Sequence, residues 1–269
     1  MPEGDSVYRV ARTLDTRLRG TTVRAADLRV PRHATADLTG ARVLGTVPRG
    51  KHLLTRFDLD GSALTLHTHL RMDGSWTVLA PGKVLPRRLA PDVRVLLRTT
   101  GPTAAGLKLG VVELLPTAEE HTAVGHLGPD LLDTGAPLDE VVAGAVRNLA
   151  REPQRPLAAA LLDQRVLAGL GNLWVNELCF LRGHLPTRPT GEVDLEPLVR
   201  LAVKLLRFSV APHGAHQVTT GDTRPGRQHW VYGRAGQPCL RCGTPIEVSA
   251  EVPGDAERRR TWWCPHCQS

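Results

Sequence analysis

No stretch of this 269-residue chain approaches the ~18 consecutive apolar residues of a membrane helix, which excludes a helical span. The opening MPEGDSVYRV has no apolar core of the kind a secretory signal carries, so the chain is expected to be a soluble, cytoplasmic protein. Internal repeats and low-complexity tracts are absent, which argues against a repeat array. Lysine and methionine are scarce: 34 residues are basic but only Lys51, Lys83, Lys108 and Lys204 are lysines, and there are two methionines. What is plentiful is apolar surface, at 41% of residues, enough to fill one large core or two modest ones and to exclude general disorder.

The net charge of +7 is unevenly spread. Residues 1–115 hold 18 basic and 10 acidic side chains, residues 116–235 hold 12 and 13, and residues 236–269 hold 4 of each. A basic first segment suits a polyanion such as nucleic acid. The dominance of arginine beside abundant alanine, glycine and proline also fits coding bias, so charge alone leaves both explanations open.

From Asp5 to Leu18 the residues Val7, Val10, Ala11, Leu14 and Leu18 fall on one helical stripe, with Asp5 as its expected cap and Gly20 as its stop. Between Thr22 and Leu115 short β-rich runs follow one another: TVRAADLRV, ARVLGTV, HLLTRFDL, SALTLHTHL, GSWTVL, DVRVLLRTT and LGVVELL. Such a series, broken by Gly, Pro and Asp, predicts a sandwich or barrel. Past Pro116 the periodicity turns helical in LDEVVAGAVRNLA, RPLAAALLDQRVLAG, NLWVNELCFL and DLEPLVRLAVKLLRFSV. Pro156 and Pro197 lie near helix starts, where a missing N–H costs little, and TTGDTRPGR reads as a loop.

Four of the five cysteines, Cys239, Cys242, Cys264 and Cys267, form two C-x2-C pairs separated by 21 residues. Two knuckles joined by a hairpin, with Pro253-Gly254-Asp255 as a turn inside it, present four thiolates tetrahedrally to one zinc ion. Four sulfurs leave no open coordination position, so the metal is structural. Cys179, among Leu178, Phe180 and Leu181, is expected to be a buried core thiol. Gly169-Leu170-Gly171-Asn172 lies between two helical runs; it is either an ordinary connection or a turn that offers backbone N–H groups to a phosphate.

MPEGDSV at the start, RGKHL at 49–53, LAGLGNLWVNE at 167–177 and the four-cysteine hairpin occur in one order. Together they resemble the formamidopyrimidine-DNA glycosylase and endonuclease VIII family of base-excision repair enzymes, over essentially the whole chain. HLRMDGSW and HLGPDLLD lie closer to the endonuclease VIII branch. The resemblance implies a multi-domain α and β fold: an N-terminal β-sandwich with an N-terminal helix (1–116), a helical helix–two-turn–helix domain (117–230) and a C-terminal zinc-finger β-hairpin (231–269). It implies a bifunctional DNA glycosylase and abasic-site lyase acting on damaged DNA, a cytoplasmic, nucleoid-associated monomer with one structural zinc.

The resemblance also assigns roles. Pro2, freed of Met1, is the secondary amine that attacks C1′ and forms an imine with the opened sugar, its α-amino group titrating near ~8. Glu3 is the general acid and base. Lys51 contacts phosphate and assists β-elimination. Arg259, five residues before Cys264, grips phosphates and favours δ-elimination; Arg258 and Arg260 flank it, so this assignment depends on register. Asn172 binds phosphate, Met72 wedges into the stack left by the extruded nucleotide, Arg71 contacts the opposite strand and His126 a phosphate.

The chain departs from the family twice. Asp5-Ser6 stands where a Pro-Glu pair is usual, and no Arg-x-Phe lies between Thr99 and His126 to read an opposite cytosine. The first raises the alternative of a damage-binding or lyase relative that lacks efficient base excision. The second favours oxidised pyrimidines, such as thymine glycol or 5-hydroxyuracil, over 8-oxoguanine. A non-enzymatic zinc-hairpin nucleic-acid-binding protein is the remaining alternative.

Overall fold

The computed structural model describes residues 2–269. The removal of Met1 therefore lies outside the described residues. The chain divides into two compact units, Met1–His126 and Leu127–Ser269.

The first unit opens on helix α1 (Gly4–Leu18), which buries Val7, Ala11, Leu14 and Leu18. Glu3, not Asp5, holds the N-cap position; Asp5 sits inside the first turn, fully buried, and its carboxylate accepts the Ser6 N–H at 2.8 Å. The position shifts because the helix begins one residue before Asp5, while a buried carboxylate still serves the unpaired amides there. Gly20, at φ +79°, ends the helix by donating its N–H to Val43 O at 2.8 Å.

Eight strands follow: β1 (Val23–Leu28), β2 (Arg42–Arg49), β3 (His52–Leu59), β4 (Ser62–His69), β5 (Ser75–Leu79), β6 (Val93–Thr99), β7 (Thr103–Leu107) and β8 (Val111–Pro116). They form two antiparallel sheets, in the orders β1-β6-β7-β5 and β2-β3-β4-β8. Val23, Leu28, Val95, Leu97 and Ala104 of one sheet share a core with Val43, Leu53, Phe57 and Leu66 of the other and with the apolar stripe of α1. This is a β-sandwich. Strand β7 is the element that the sequence pattern did not suggest, because TAAGL carries small side chains where the other strands carry β-branched or large ones.

Helix and sheet are pinned together at a bulge in β2, where the pairing with β3 shifts between Val43 and Gly45. Asp15 and Arg19 of α1 reach this bulge: Asp15 Oδ1 accepts the Thr46 N–H at 2.8 Å and Arg19 Nη1 donates to Leu44 O at 2.8 Å. Gly45 takes φ +155°, and a Cβ there would lie 2.5 Å from the Arg19 guanidinium and 2.7 Å from Asp15 Oδ1, so a side chain would be strained and would displace the pair that pins the bulge.

The second unit is helical: α2, Glu120–Val124, still belongs to the first unit, and α3 (Leu138–Leu149), α4 (Leu157–Leu162), α5 (Asn172–Arg182) and α6 (Leu195–Val210) follow in the second. Helix α4 stops at Leu162, short of the helical run the sequence suggested, because the Asp163 carboxylate turns back to accept the Arg165 N–H at 3.0 Å. Helix α5 is buried along Asn172–Phe180 and ends at Gly183, φ +72°, where the His184 N–H returns to Cys179 O at 2.9 Å. Burial pushes the Cys179 thiol up to about 12, so it is an inert core residue. The two-stranded hairpin β9 (Glu247–Ser249) and β10 (Thr261–Trp263) closes the chain. Among the described residues no helix is long and apolar enough to cross a membrane.

Candidate active site

Pro2 is half-buried directly ahead of α1, and Glu3, next to it, has no exposed surface at all. A carboxylate is withdrawn from water this completely only where partners hold it, and here it lies at the positive end of a 15-residue helix. The backbone nitrogen of Pro2 and a sequestered acid are thus neighbours by covalent connectivity.

Lys51 sits in the two-residue connection between β2 and β3, whose last and first residues, Arg49 and His52, are cross-strand partners. Gly50 takes φ +57° as the first residue of that turn, which is why RGK carries glycine ahead of the lysine. Beyond the turn, four histidines gather: His52 Nδ1 lies 2.8 Å from His67 Nε2, and its ring meets those of His69 and His126 edge-on at 4.8 and 6.2 Å. His67 Nδ1 lies 2.8 Å from Glu113 Oε2. Burial first, then the positive fields of His69, His67, His126 and Arg71, holds His52 down to about 3, so the ring is neutral. Of this group only His126 stands out through the family resemblance; the alternation of His67 and His69 along one strand is the signal the sequence carries for the others.

Arg71 and Met72 lie in the connection from β4 to β5, a tight turn closed by the Gly74 N–H on Leu70 O at 2.9 Å. Arg71 is held at φ +54° with its N–H on His69 Nδ1 at 2.9 Å, and Met72 is 63% exposed at the tip. An apolar side chain projecting from a rigid turn has the form of a wedge.

The second unit ties the glycine turn to the cysteine hairpin. Gly169, at φ +109°, gives its N–H to Gln164 Oε1 at 3.1 Å, so this amide is engaged within the turn. Asn172 opens α5, buried, and its Nδ2 donates to Arg260 O at 2.9 Å. One turn on, Asn176 Oδ1 accepts the Thr261 hydroxyl at 2.8 Å and the Trp262 N–H at 2.7 Å. Next to it the buried Glu177 carboxylate accepts the N–H groups of Trp230, Val231 and Tyr232 at 2.8 to 2.9 Å, and the Thr219 hydroxyl. Asn176 and Glu177 are organising residues that helical periodicity alone does not single out.

The three adjacent arginines differ. Arg258 is exposed and pairs with Glu251, while Arg259, whose side chain is 19% exposed, lies 3.0 Å from Glu257 Oε2 and 3.5 Å from Asp255 Oδ1. Arg260 is exposed.

The ligand atoms of Cys239, Cys242, Cys264 and Cys267 all lie within 4.8 Å of one another, with Cys242 and Cys264 Sγ 3.5 Å apart. Sulfurs on a tetrahedron of ~2.3 Å zinc bonds are about 3.8 Å apart, so the four fit a zinc-type ion. The knuckle is braced by the Arg241 N–H on Cys239 Sγ at 3.4 Å, and the Arg241 guanidinium covers the Phe180 ring of α5 at 4.4 Å.

A family model for the formamidopyrimidine-DNA glycosylase N-terminal domain matches residues 1–113. The chain is 48% identical over 269 residues to a probable endonuclease 8 2 of Streptomyces coelicolor, covering all of this chain and 94% of that one. It is 47% identical to the DNA-(apurinic or apyrimidinic site) lyase Nei2 of Mycolicibacterium smegmatis, covering 100% and 99%, and 33% identical to a formamidopyrimidine-DNA glycosylase of Latilactobacillus sakei, covering 100% and 98%. In fold it is similar to the Lactococcus lactis formamidopyrimidine-DNA glycosylase bound to DNA containing an abasic site, with a TM-score of 0.77 at 23% identity over both whole chains.

Proposed function

The chain belongs to the formamidopyrimidine-DNA glycosylase and endonuclease VIII family, and from that premise we propose that it is a bifunctional DNA glycosylase and abasic-site lyase of base-excision repair. The observation that carries the mechanism is the fully buried Glu3 carboxylate beside Pro2 at the head of α1. The Pro2 nitrogen forms a bond to C1′ of the damaged nucleotide as the bond to the base breaks. Glu3 takes up the proton that the Pro2 amine loses and passes it to the departing base or the ring oxygen, and the sugar opens to an imine. The imine acidifies the proton at C2′; its loss expels the 3′ phosphate, and a second elimination expels the 5′ phosphate.

Lys51 assists the first elimination and holds a phosphate, and Arg259 favours the second. Asn172 and His126 bind phosphate, Met72 fills the vacated stack and Arg71 faces the opposite strand. Oxidised pyrimidines are the preferred lesions, supported by the missing Arg-x-Phe between Thr99 and His126. Cys239, Cys242, Cys264 and Cys267 hold one zinc ion, which fixes the hairpin and takes no part in the chemistry. The functional parts are residues 1–116, 117–230 and 231–269, in a cytoplasmic, nucleoid-associated monomer.

Borohydride trapping on duplex DNA with an abasic site tests the reading. A covalent adduct that maps to the N-terminal peptide is expected, and it should disappear when one extra residue ahead of Pro2 turns its nitrogen into an amide. Absence of any adduct defeats the enzyme reading. An adduct on abasic DNA without release of oxidised pyrimidines would point instead to the lyase relative, for which Ser6 in place of the usual glutamate is the supporting observation.

A further inference from the structure

The sheet β2-β3-β4-β8 sets two cross-strand pairs side by side, His52 opposite His69 and His67 opposite Glu113. His67 and His69 are two residues apart on β4 and so share a face of the sheet. The result is a continuous chain: Glu113 Oε2 to His67 Nδ1 at 2.8 Å, then His67 Nε2 to His52 Nδ1 at 2.8 Å. Its middle is buried, the His67 side chain being 4% exposed, while the Glu113 side chain is 41% exposed. At the other end the His52 ring meets His69 of β4, His126 at the end of the first unit, and the field of Arg71.

Valence fixes where the hydrogens lie. An ionised Glu113 only accepts, so His67 carries a proton on Nδ1. A single proton occupies the 2.8 Å gap between His67 Nε2 and His52 Nδ1. With that proton on His52 Nδ1 the chain is neutral apart from Glu113, and His52 Nε2 bears a lone pair. A proton arriving at Nε2 displaces the bridging proton onto His67 Nε2. The positive charge then rests on His67 against Glu113, and His52 is neutral in both states, with Nε2 converted from acceptor to donor. The charged and titratable groups that touch or act on the two rings are Glu113 of β8, His69 of β4, His126 and Arg71, and Glu113 touches His67 rather than His52; the buried acids Glu3 and Asp5 lie at the head of α1, which packs against β3.

We propose that Glu113, His67 and His52 form a proton relay that loads one proton from solvent onto the first unit when a phosphodiester anion of DNA settles against His69 and His126. The relay adds its positive charge to the anion site only when the site is filled. Charging His52 directly among the rings of His67, His69 and His126 is avoided, because the proton is stored on the neighbouring ring, beside the Glu113 carboxylate. The proposal rests on the reading that this unit binds DNA; His52 and His67 are positioning residues in it, acting through their neighbours.

The test is calorimetric titration of the full-length, zinc-loaded protein with a duplex carrying a tetrahydrofuran abasic analogue, in buffers of different ionisation enthalpy. Wild type is expected to take up close to one proton per complex, with affinity falling up to about tenfold per pH unit as pH rises through the range of uptake. Glu113→Gln keeps shape and an acceptor but removes the stored charge's partner, so uptake should fall to near zero while binding persists; His67→Phe should do the same. Wild-type uptake in a folded Glu113→Gln protein would overturn the relay, as would binding by wild type with no proton taken up. A wild type that does not bind the duplex at any pH overturns the DNA-binding reading itself, and the relay with it.

Discussion

The side-chain amide of Asn172, the first residue of α5, donates a 2.9 Å hydrogen bond to the backbone carbonyl of Arg260, the last residue before β10. Eighty-eight positions apart in sequence, the glycine turn and the cysteine hairpin are thereby one construction. Asn176 adds a second tie, through Thr261 and Trp262, so the strand that follows the arginines is registered against the helix that follows the turn.

Replacing Asn172 with alanine removes a buried donor and strands the Arg260 carbonyl. A loss of about 1–3 kcal/mol in the unfolding free energy is expected, measured by urea titration. DNA affinity should fall as well, because the residue serves both the hairpin and the backbone contact proposed for it. Unchanged stability would mean that the carbonyl finds water and the tie is incidental.

Metal removal should act through the same connection. Chelation, or Cys264→Ser, takes away the ion that fixes both knuckles. Trp230 and Trp262 pack on the cluster of Phe180, Val231, Cys239, Ile246 and Cys264, so their emission should shift to the red as the knuckles open. DNA binding should weaken in parallel and recover on adding zinc. Full retention of binding after complete metal loss would remove the hairpin from the interface.

Much of this organisation was legible before any coordinate. Alternating runs between Thr22 and Leu115 marked seven of the eight strands, and C-x2-C spacing marked the thiolate cluster, because each rests on local chemistry with a strong period. Strand β7 was not legible: the small residues of TAAGL form a strand because β5 and β6 flank it on both sides. The histidine chain was hidden for a related reason. Nothing local connects His52, His67 and Glu113; strand register does. Glu177 looked like one more polar residue of a helix and proves to accept three consecutive backbone amides, the partner segment being more than fifty residues away.

The neutral His52 makes stability depend on pH in a definite direction. Its ordinary value is 6.5 and the folded value is about 3. Between these limits the unfolded chain binds a proton that His52 in the fold refuses, so stability falls as pH drops, by at most about 1.4 kcal/mol per pH unit. Above the unfolded value the contribution is constant. Urea midpoints between about pH 7.5 and about pH 5 should therefore decline less steeply for His52→Phe than for wild type. Equal slopes would show that this ring takes up its proton in the folded state.

Arg259 offers the sharpest test of register in the hairpin. Its guanidinium is held by Glu257 at 3.0 Å and Asp255 at 3.5 Å, whereas Arg260 is exposed and, among the described residues, has no carboxylate within ion-pair reach. For Arg259 to grip the phosphates around a lesion it must exchange carboxylate oxygens for phosphate oxygens, a trade that arginine's planar fork accommodates. Arg259→Ala should then leave the β-elimination product to accumulate, with δ-elimination slowed about tenfold or more, as for loss of a single charge-stabilising donor. Arg260→Ala should leave the product ratio unchanged, and Glu257→Gln should strengthen DNA binding at low salt by releasing Arg259 and removing a negative charge. Gel separation of the 3′ ends reads the ratio directly. The reverse ranking, with Arg260→Ala halting the second elimination and Arg259→Ala silent, would move the role one residue towards β10 and leave Arg259 as a structural clamp on the turn at Asp255.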